Sequence, residues 1–122
     1  MKRENVSRLA YQEIPMRFIE PELIYMLLRI NEIPEYDLNN KPTDNIVGYS
    51  YEVVNTDSFE KYKIKVLGKK PLMSPEELQK RRDQGEKIAV EFENATVKMY
   101  WNKQMNSYAD TFSADGISLV TD

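Results

Sequence analysis

The stretch KIAVEFENATVKMYW, residues 87–101, decides the fold because its two-residue alternation of apolar side chains breaks in the middle. The apolar residues before the break fall on even positions and those after it on odd positions: Ile88, Val90, Phe92, Ala95, Val97, Met99 and Trp101. A change of face at Glu93 and Asn94 favours a β-bulge, in which one extra residue shifts the alternation and bends the strand. A tight turn between two short strands is the alternative, and Asn94 suits it as well.

The alternation after the break assigns its residues to two faces. After the break, one face of the strand carries Val97, Met99 and Trp101. Before the break the same side carries Phe92, so we expect these four residues to be buried together. Lys98 and Tyr100 then lie on the opposite, outward face of the same strand.

Turn residues divide the rest of the chain into further strands. The run 23–30 fits a helix or a strand, and the alternation within it favours a strand. The runs 46–54 and 62–67 are rich in aromatic and β-branched residues, and residues 37–42 between the first two strands form a turn. Two more strands are predicted at 107–113 and 117–120, separated by a turn at 114–116.

One helix is predicted, over about residues 75–84. Ser74 is its N-cap, Pro75 occupies the first helical position, Glu77 completes a capping box and Gly85 follows the last turn. Leu78 is the apolar residue of this segment, which indicates a surface helix crossing between strands.

These elements predict a mainly β protein: a small OB-like barrel of five to six strands with one crossover surface helix. Residues 21–122 form the single barrel domain, and residues 1–20 form a mobile or peripheral N-terminal arm. A chain of 122 residues fits one domain with one core.

Composition excludes much catalytic chemistry. The chain has no Cys and no His, so thiolate nucleophiles, Cys-based metal sites and the commonest general base are missing. We expect no enzyme activity, no cofactor and no metal. No apolar run approaches the about 20 residues that span a bilayer, and the start lacks the apolar core of a signal peptide, so no membrane contact and a cytoplasmic location are expected.

Charge is distributed unevenly along the chain, although the formal net charge is only -3. Alternation places Lys61, Lys63 and Lys65 together on one strand face, spaced about 7 Å apart, which is comparable to the phosphates of an extended single strand. A basic track combined with aromatic rings is typical of single-stranded nucleic-acid binding. The predicted contacts are Tyr49, Tyr51, Lys61, Lys63, Lys65, Lys98, Tyr100 and Lys103. Alternating lysines are also common as a solvated face or as protection of a sheet edge.

Four segments carry a resemblance to a known family: IVGYSYEVV (46–54), LGKKPLMSPEEL (67–78), IAVEFENATVKMYW (88–101) and ADGISLV (114–120). In this order and spacing the chain resembles the HelP-type helicase-processivity accessory proteins of Gram-positive integrative and conjugative elements. The resemblance implies an OB-like barrel that binds single-stranded DNA and assists a host helicase and an element-encoded relaxase in DNA replication and conjugative transfer. It implies no site at the level of residues.

Two other functions stay open. A protein-interaction module of the conjugation machinery would use the acidic stretch from Glu32 to Glu60 without contacting nucleic acid, and the negative net charge favours it. A DNA-mimicking inhibitor fits the pI of about 5.1, but its acids do not form a dense phosphate-like track.

Overall fold

The computed structural model describes residues 10–68 and 70–120. These residues form eight strands, one α-helix and one 3₁₀ turn. In chain order they are β1 (Glu13–Pro15), the 3₁₀ turn (Met16–Phe18), β2 (Tyr25–Tyr36), β3 (Pro42–Asn55), β4 (Lys61–Leu67), α1 (Pro75–Asp83), β5 (Ala89–Glu93), β6 (Thr96–Asn102), β7 (Ser107–Ala114) and β8 (Gly116–Leu119).

The protein is mainly β, and its strands form one curled eight-stranded sheet in the order β1-β6-β7-β4-β3-β2-β5-β8. Neighbouring strands are antiparallel except β4 and β7, which run parallel. The strand interpretation of residues 23–30 is confirmed, but β2 continues to Tyr36 and pairs with β3 almost to the turn. Asp37 closes that turn, since its Oδ1 accepts from the backbone N–H groups of Asn39 and Lys41.

The break at Glu93 and Asn94 separates two strands that have different partners. β5 pairs with β2 and β8, whereas β6 pairs with β1 and β7. Asn94 has a left-handed backbone, with φ at 52°, and its Nδ2 donates to Asp115 Oδ2 at 2.9 Å. Asparagine tolerates this conformation better than most residues, so the change of face has a local cause in Asn94.

The bulge prediction is wrong, because there is no extra residue at the break, either between β5 and β6 or between β7 and β8. Thr96 pairs with Ser113 on one side of the break and Glu93 pairs with Gly116 on the other, so the register is unchanged. Asp115 N donates to Glu93 O at 2.8 Å across the gap. β5 and β6 therefore form one continuous strand, β7 and β8 form its partner, and this two-stranded ribbon bends at the break. The turn predicted at 114–116 is this bend, and the chain does not reverse direction there.

A core of aromatic and aliphatic side chains fills the concave side of the sheet. Tyr25, Tyr51, Val53, Ile64 and Val90 are each at most 1% exposed. Phe92 packs against this core and meets both Tyr25 and Tyr51 edge to face, at centroid distances of 5.7 and 6.3 Å. Edge-to-face pairs of this kind add about 0.5–1.5 kcal/mol each beyond their buried area.

Helix α1 confirms the predicted N-terminus. Ser74 Oγ accepts from Glu77 N at 3.1 Å, and Pro75 begins the helix. The predicted capping box is only half formed: among the described residues the Glu77 carboxylate accepts from Arg81 Nε at 2.9 Å, one turn later, and not from Ser74 N. Leu78 is 2% exposed and belongs to the core, so this single apolar residue anchors an otherwise polar helix to the sheet.

The core also includes residues that precede position 21. Met16 is completely buried, and its N–H donates to Ala95 O at 2.9 Å, next to the bend of the ribbon. Glu20 is 5% exposed and its Oε2 accepts from the hydroxyls of Ser58 and Tyr62, both at 2.7 Å. Residues 10–20 are thus docked on the sheet, whereas residues 1–9 of the predicted arm lie outside the described residues.

Candidate nucleic-acid interface

The three alternating lysines of β4 point away from the core. Ile64 between them is completely buried, and Tyr62 and Val66 pack against the core. Lys61, Lys63 and Lys65 are exposed on the convex side, as the alternation predicted. None of the ion pairs between described residues involves these three lysines.

Residues of β7 and β6 extend this convex surface. Directly opposed residues of neighbouring strands share a face, and Lys65 pairs with Ser113, which in turn pairs with Thr96. The hydroxyl oxygens of Thr96 and Ser113 lie 3.3 Å apart. Two residues further along the β6–β7 ladder, Lys98 pairs with Thr111, so Lys98 lies on the same face as Thr96, Ser113 and Lys65.

Lys98 and Tyr100 thus lie on the face that the sequence predicted, opposite Val97 and Met99. Both are half-buried. Lys98 Nζ lies 3.9 Å from the carboxylate of Glu13 on β1, and 40% of the Lys98 side chain is exposed. Exposed pairs at such distances contribute little energy, so Lys98 can exchange Glu13 for another anion.

Two clefts flank Lys65 on the convex side. One of about 550 Å³ is lined by Lys65, Thr96, Ser113, Glu13, Asn94 and Asp115 among others. The second, of about 290 Å³, is lined by Lys63, Lys65, Thr111, Ser50 and the β2 residues Asn31 to Pro34. Lys65 lines both clefts, and carboxylates face them beside the hydroxyl and amide groups: Glu13 and Asp115 in the first cleft and Glu32 in the second.

Acidic residues also reach this surface, and one of them is already engaged. Glu52 lies opposite Lys63 in the β3–β4 ladder. Its Oε2 accepts from Asn31 Nδ2 at 2.7 Å and lies 3.9 Å from the guanidinium of Arg29. These contacts hold the Glu52 carboxylate towards β2 and reduce its attraction for the lysines.

Tyr49 and Tyr51 cannot serve as the stacking rings that the sequence suggested. They are 7% and 1% exposed, because their face of β3 also carries Val53 and lies against the core. The Tyr51 hydroxyl accepts from Leu72 N at 3.0 Å, and burial raises the pKa of that hydroxyl. Their place is the concave core and not the convex surface.

The predicted burial of Trp101 is also wrong. This residue was predicted to be buried with Phe92, Val97 and Met99, but it is 42% exposed, while Val97 is buried and Met99 is half-buried. The β6–β7 hairpin extends beyond the core, so its concave face emerges into solvent near the tip. Lys103 lies in the exposed loop of this hairpin.

Sequence reasoning missed Tyr11 and Tyr108, which accompany Trp101 at the hairpin. The rings of Trp101 and Tyr108 meet edge to face at a centroid distance of 5.2 Å, and the Tyr11 hydroxyl accepts from Trp101 N at 3.2 Å. Tyr108 lies directly opposite Trp101 in the β6–β7 hairpin, and its place on the strand predicted at 107–113 was the available signal.

Comparisons of the chain with protein-family models, with curated proteins and with solved structures gave no match. Within residues 10–68 and 70–120, no helix has the length and apolar character needed to cross a membrane. The same residues contain no group of three or more acidic side chains placed to hold a metal ion.

Proposed function

We propose that this protein binds single-stranded DNA on the convex surface of β4, β7 and β6 as an accessory factor of mobile-element DNA replication and conjugative transfer. The observation that carries this proposal is the exposed row formed by Lys61, Lys63 and Lys65, which has no ion-pair partners among the described residues and in which Lys65 lines both clefts. On the basis of the sequence resemblance, we also propose a host helicase and an element relaxase as partners, and a cytoplasmic location.

We also propose that the curled sheet is an OB-like barrel. If β5 with β6 and β7 with β8 are each counted as one bent strand, the pairings run from β2 through β3, β4, β7/β8 and β5/β6 back to β2. This gives five strands in a closed order, and helix α1 connects β4 to β5/β6, which are the third and fourth of these strands along the chain. OB-folds are five-stranded barrels that bind oligonucleotides on one strand face, which supports assigning the lysine row to DNA.

Replacing all three lysines by Gln tests the site. Each phosphate neutralised on a single strand releases about 0.7 counterion, so the slope of log affinity against log salt should become shallower by about 2. Fluorescence anisotropy with labelled single-stranded and duplex oligonucleotides at several salt concentrations measures this slope. Stability should change by no more than about 0.5 kcal/mol, because the three side chains are exposed.

Lys70, Lys80 and Lys87 provide a matched control, because they are also exposed and lie outside the convex surface. Their triple Gln variant has the same change of charge and should keep most of the salt slope of the parent. Equal losses in both triple variants would mean that net charge alone governs binding. A parent protein that does not prefer single strands, or whose affinity does not depend on salt, would refute the proposal.

A protein-interaction module is the second candidate, and Phe59 is the observation that favours it. Phe59 is 78% exposed and has φ at 62°, a strained conformation for an aromatic residue. The buried Asn55 holds its loop, since Asn55 Oδ1 accepts from the N–H groups of Asp57 and Ser58. Stimulation of a helicase by a variant that no longer binds DNA would favour this function.

A further inference from the structure

Three aromatic side chains near the tip of the β6–β7 hairpin remain exposed outside the lysine surface: Trp101 and Tyr108 of the hairpin itself, and Tyr11, which precedes β1 and bonds to β6. Tyr11 is 58% exposed, and Trp101 and Tyr108 are each 42% exposed. We define these three residues as the hairpin aromatic cluster. We propose that this cluster stacks unpaired nucleobases of the same DNA strand whose phosphates the lysines bind, an inference that rests on the proposed function.

The conformation of Tyr11 indicates that the cluster is held in place. Its φ is 63°, which is unusual for an aromatic residue. Two hydrogen bonds maintain it: Tyr11 N donates to Met99 O at 2.7 Å, and the Tyr11 hydroxyl accepts from Trp101 N. Strained residues that the surrounding contacts hold often occur at binding sites.

Ring geometry leaves surface available for stacking. Trp101 and Tyr108 meet at an interplanar angle of 81°, so each ring uses at most an edge or one face in the pair. A nucleobase needs one ring face, and stacking tolerates any base because every base has a π-face. The partial exposure of the two rings is consistent with an open face on the solvent side.

The register of the sheet places the cluster at the end of the lysine row. Ile64 pairs with Phe112 in the parallel β4–β7 ladder. Continuing that register puts Lys61 level with Ala109 and puts Tyr108 one residue beyond, about 3.3 Å further along. A strand that follows Lys65, Lys63 and Lys61 therefore arrives at the hairpin tip after its last phosphate contact.

The strand also has a path from the convex side to the cluster. Among the described residues, the β4–β7 ladder joins only residues 64–66 with residues 112–114. Beyond the last of these pairs lie Lys61 on β4 and residues 107–110 on β7. The edge of β7 is thus open beside Lys61. DNA can pass this edge and reach the concave face of the hairpin, where Trp101 and Tyr108 lie.

Charge at the tip is balanced, so electrostatic attraction is not what the cluster contributes. Lys103 lies in the hairpin loop, and Asp110 is exposed opposite Met99 on the same face as the cluster. Stacking on an aromatic ring releases no phosphate counterion. The cluster should therefore change affinity and leave the salt dependence to the lysines.

The single tryptophan of the chain makes the test direct. The intact protein is titrated with an oligothymidylate of roughly 16 nucleotides, the upper site size of one such fold, while the fluorescence of Trp101 is followed. Stacking predicts quenching that saturates together with the anisotropy signal. Trp101→Leu and Tyr108→Leu should each weaken binding by roughly 5- to 150-fold with the salt slope unchanged, which is the range for one lost stack.

Trp101→Phe keeps a ring and should restore most of the affinity. Phe18→Leu is the matched control, because Phe18 is 69% exposed but lies outside the cluster; its affinity should equal that of the parent. Undiminished DNA binding in the Trp101→Leu and Tyr108→Leu variants, or binding without quenching of Trp101, would overturn the stacking inference and leave the lysine surface in place. Absence of binding by the parent protein would instead refute the proposed function and the stacking with it.

Discussion

Deprotonation of buried tyrosines should destabilise this protein at high pH, and Tyr25 gives the clearest case. Tyr25 is 1% exposed, and its hydroxyl contacts Met16 Sδ at 3.5 Å. Burial, followed by the negative charge of Glu20, raises the pKa of Tyr25 from 10.0 to about 12. The folded chain therefore retains this proton at pH values where the unfolded chain has released it.

The sign of the effect follows from proton binding. Between pH 10 and 12 the unfolded chain binds fewer protons than the folded chain, so the free energy of unfolding falls as pH rises. The contribution of Tyr25 is fully present below pH 10 and is lost as the pH reaches about 12. At about 1.4 kcal/mol for each pH unit, Tyr25 alone should remove about 2.7 kcal/mol across this interval.

Tyr25→Phe should separate this effect from packing. At neutral pH the variant should lose about 0.5–1.5 kcal/mol, because it loses a weak O–H···S contact to Met16 and the hydrogen bond between the hydroxyl and the Asn55 side chain. Above pH 10 its free energy of unfolding should fall less steeply than that of the parent by about 1.4 kcal/mol for each pH unit. Urea unfolding at a series of pH values from 7 to 12 measures both quantities.

The parent curve should be steeper than one tyrosine explains, because other groups contribute. Burial, followed by the hydrogen bond to Glu20, raises the pKa of Tyr62, and burial raises the pKa of Tyr51. Tyr108→Phe is the control and should follow the parent curve, since Tyr108 is 42% exposed. If Tyr25→Phe loses stability above pH 10 as steeply as the parent does, the assignment of this pH effect to Tyr25 is wrong.

Two substitutions test the packing of the sheet and the helix. Gly48→Ala should destabilise by about 1–3 kcal/mol in urea unfolding, because a Cβ there would lie 2.8 Å from Val66 O and 3.0 Å from Leu67 Cα; an unchanged midpoint would show that β4 yields readily at this point. Ser74→Ala should cost about 1 kcal/mol through loss of the bond from Glu77 N while DNA affinity stays at the parent value, and a loss of affinity would implicate α1 in the interface.

Local periodicity explains why much of the fold could be predicted. The outward direction of Lys61, Lys63 and Lys65 follows from the two-residue period of one strand with a clearly apolar opposite face, which requires no knowledge of neighbouring strands. The N-terminus of α1 was predicted for the same reason, since Ser74, Pro75 and Glu77 act within one helical turn.

The misassigned aromatic residues depended on contacts between strands. In IVGYSYEVV, Tyr49 and Tyr51 share a face with Val53, and the opposite face carries Ser50 and Glu52. That pattern already favours burial of the tyrosines, although aromatic rings beside lysines suggested stacking. Trp101 follows the apolar period of β6, but its exposure depends on how far the hairpin extends past the core. The sequence of one strand does not reveal the length of that extension.

The bend at Asn94 and Asp115 connects the fold to the proposed interface. On one side of the bend the ribbon pairs with β2, and on the other side it pairs with β4. If this two-stranded ribbon were straight, each of its strands would keep the same neighbours along its whole length. The ribbon could then pair with only one edge of the β2–β3–β4 meander. Since the bend exchanges those neighbours, the outer faces of β4, β7 and β6 become one continuous surface. The lysines of β4 therefore share a surface with Thr96, Ser113 and Lys98 of the hairpin because the ribbon bends at Asn94 and Asp115, whose side chains are hydrogen-bonded to each other.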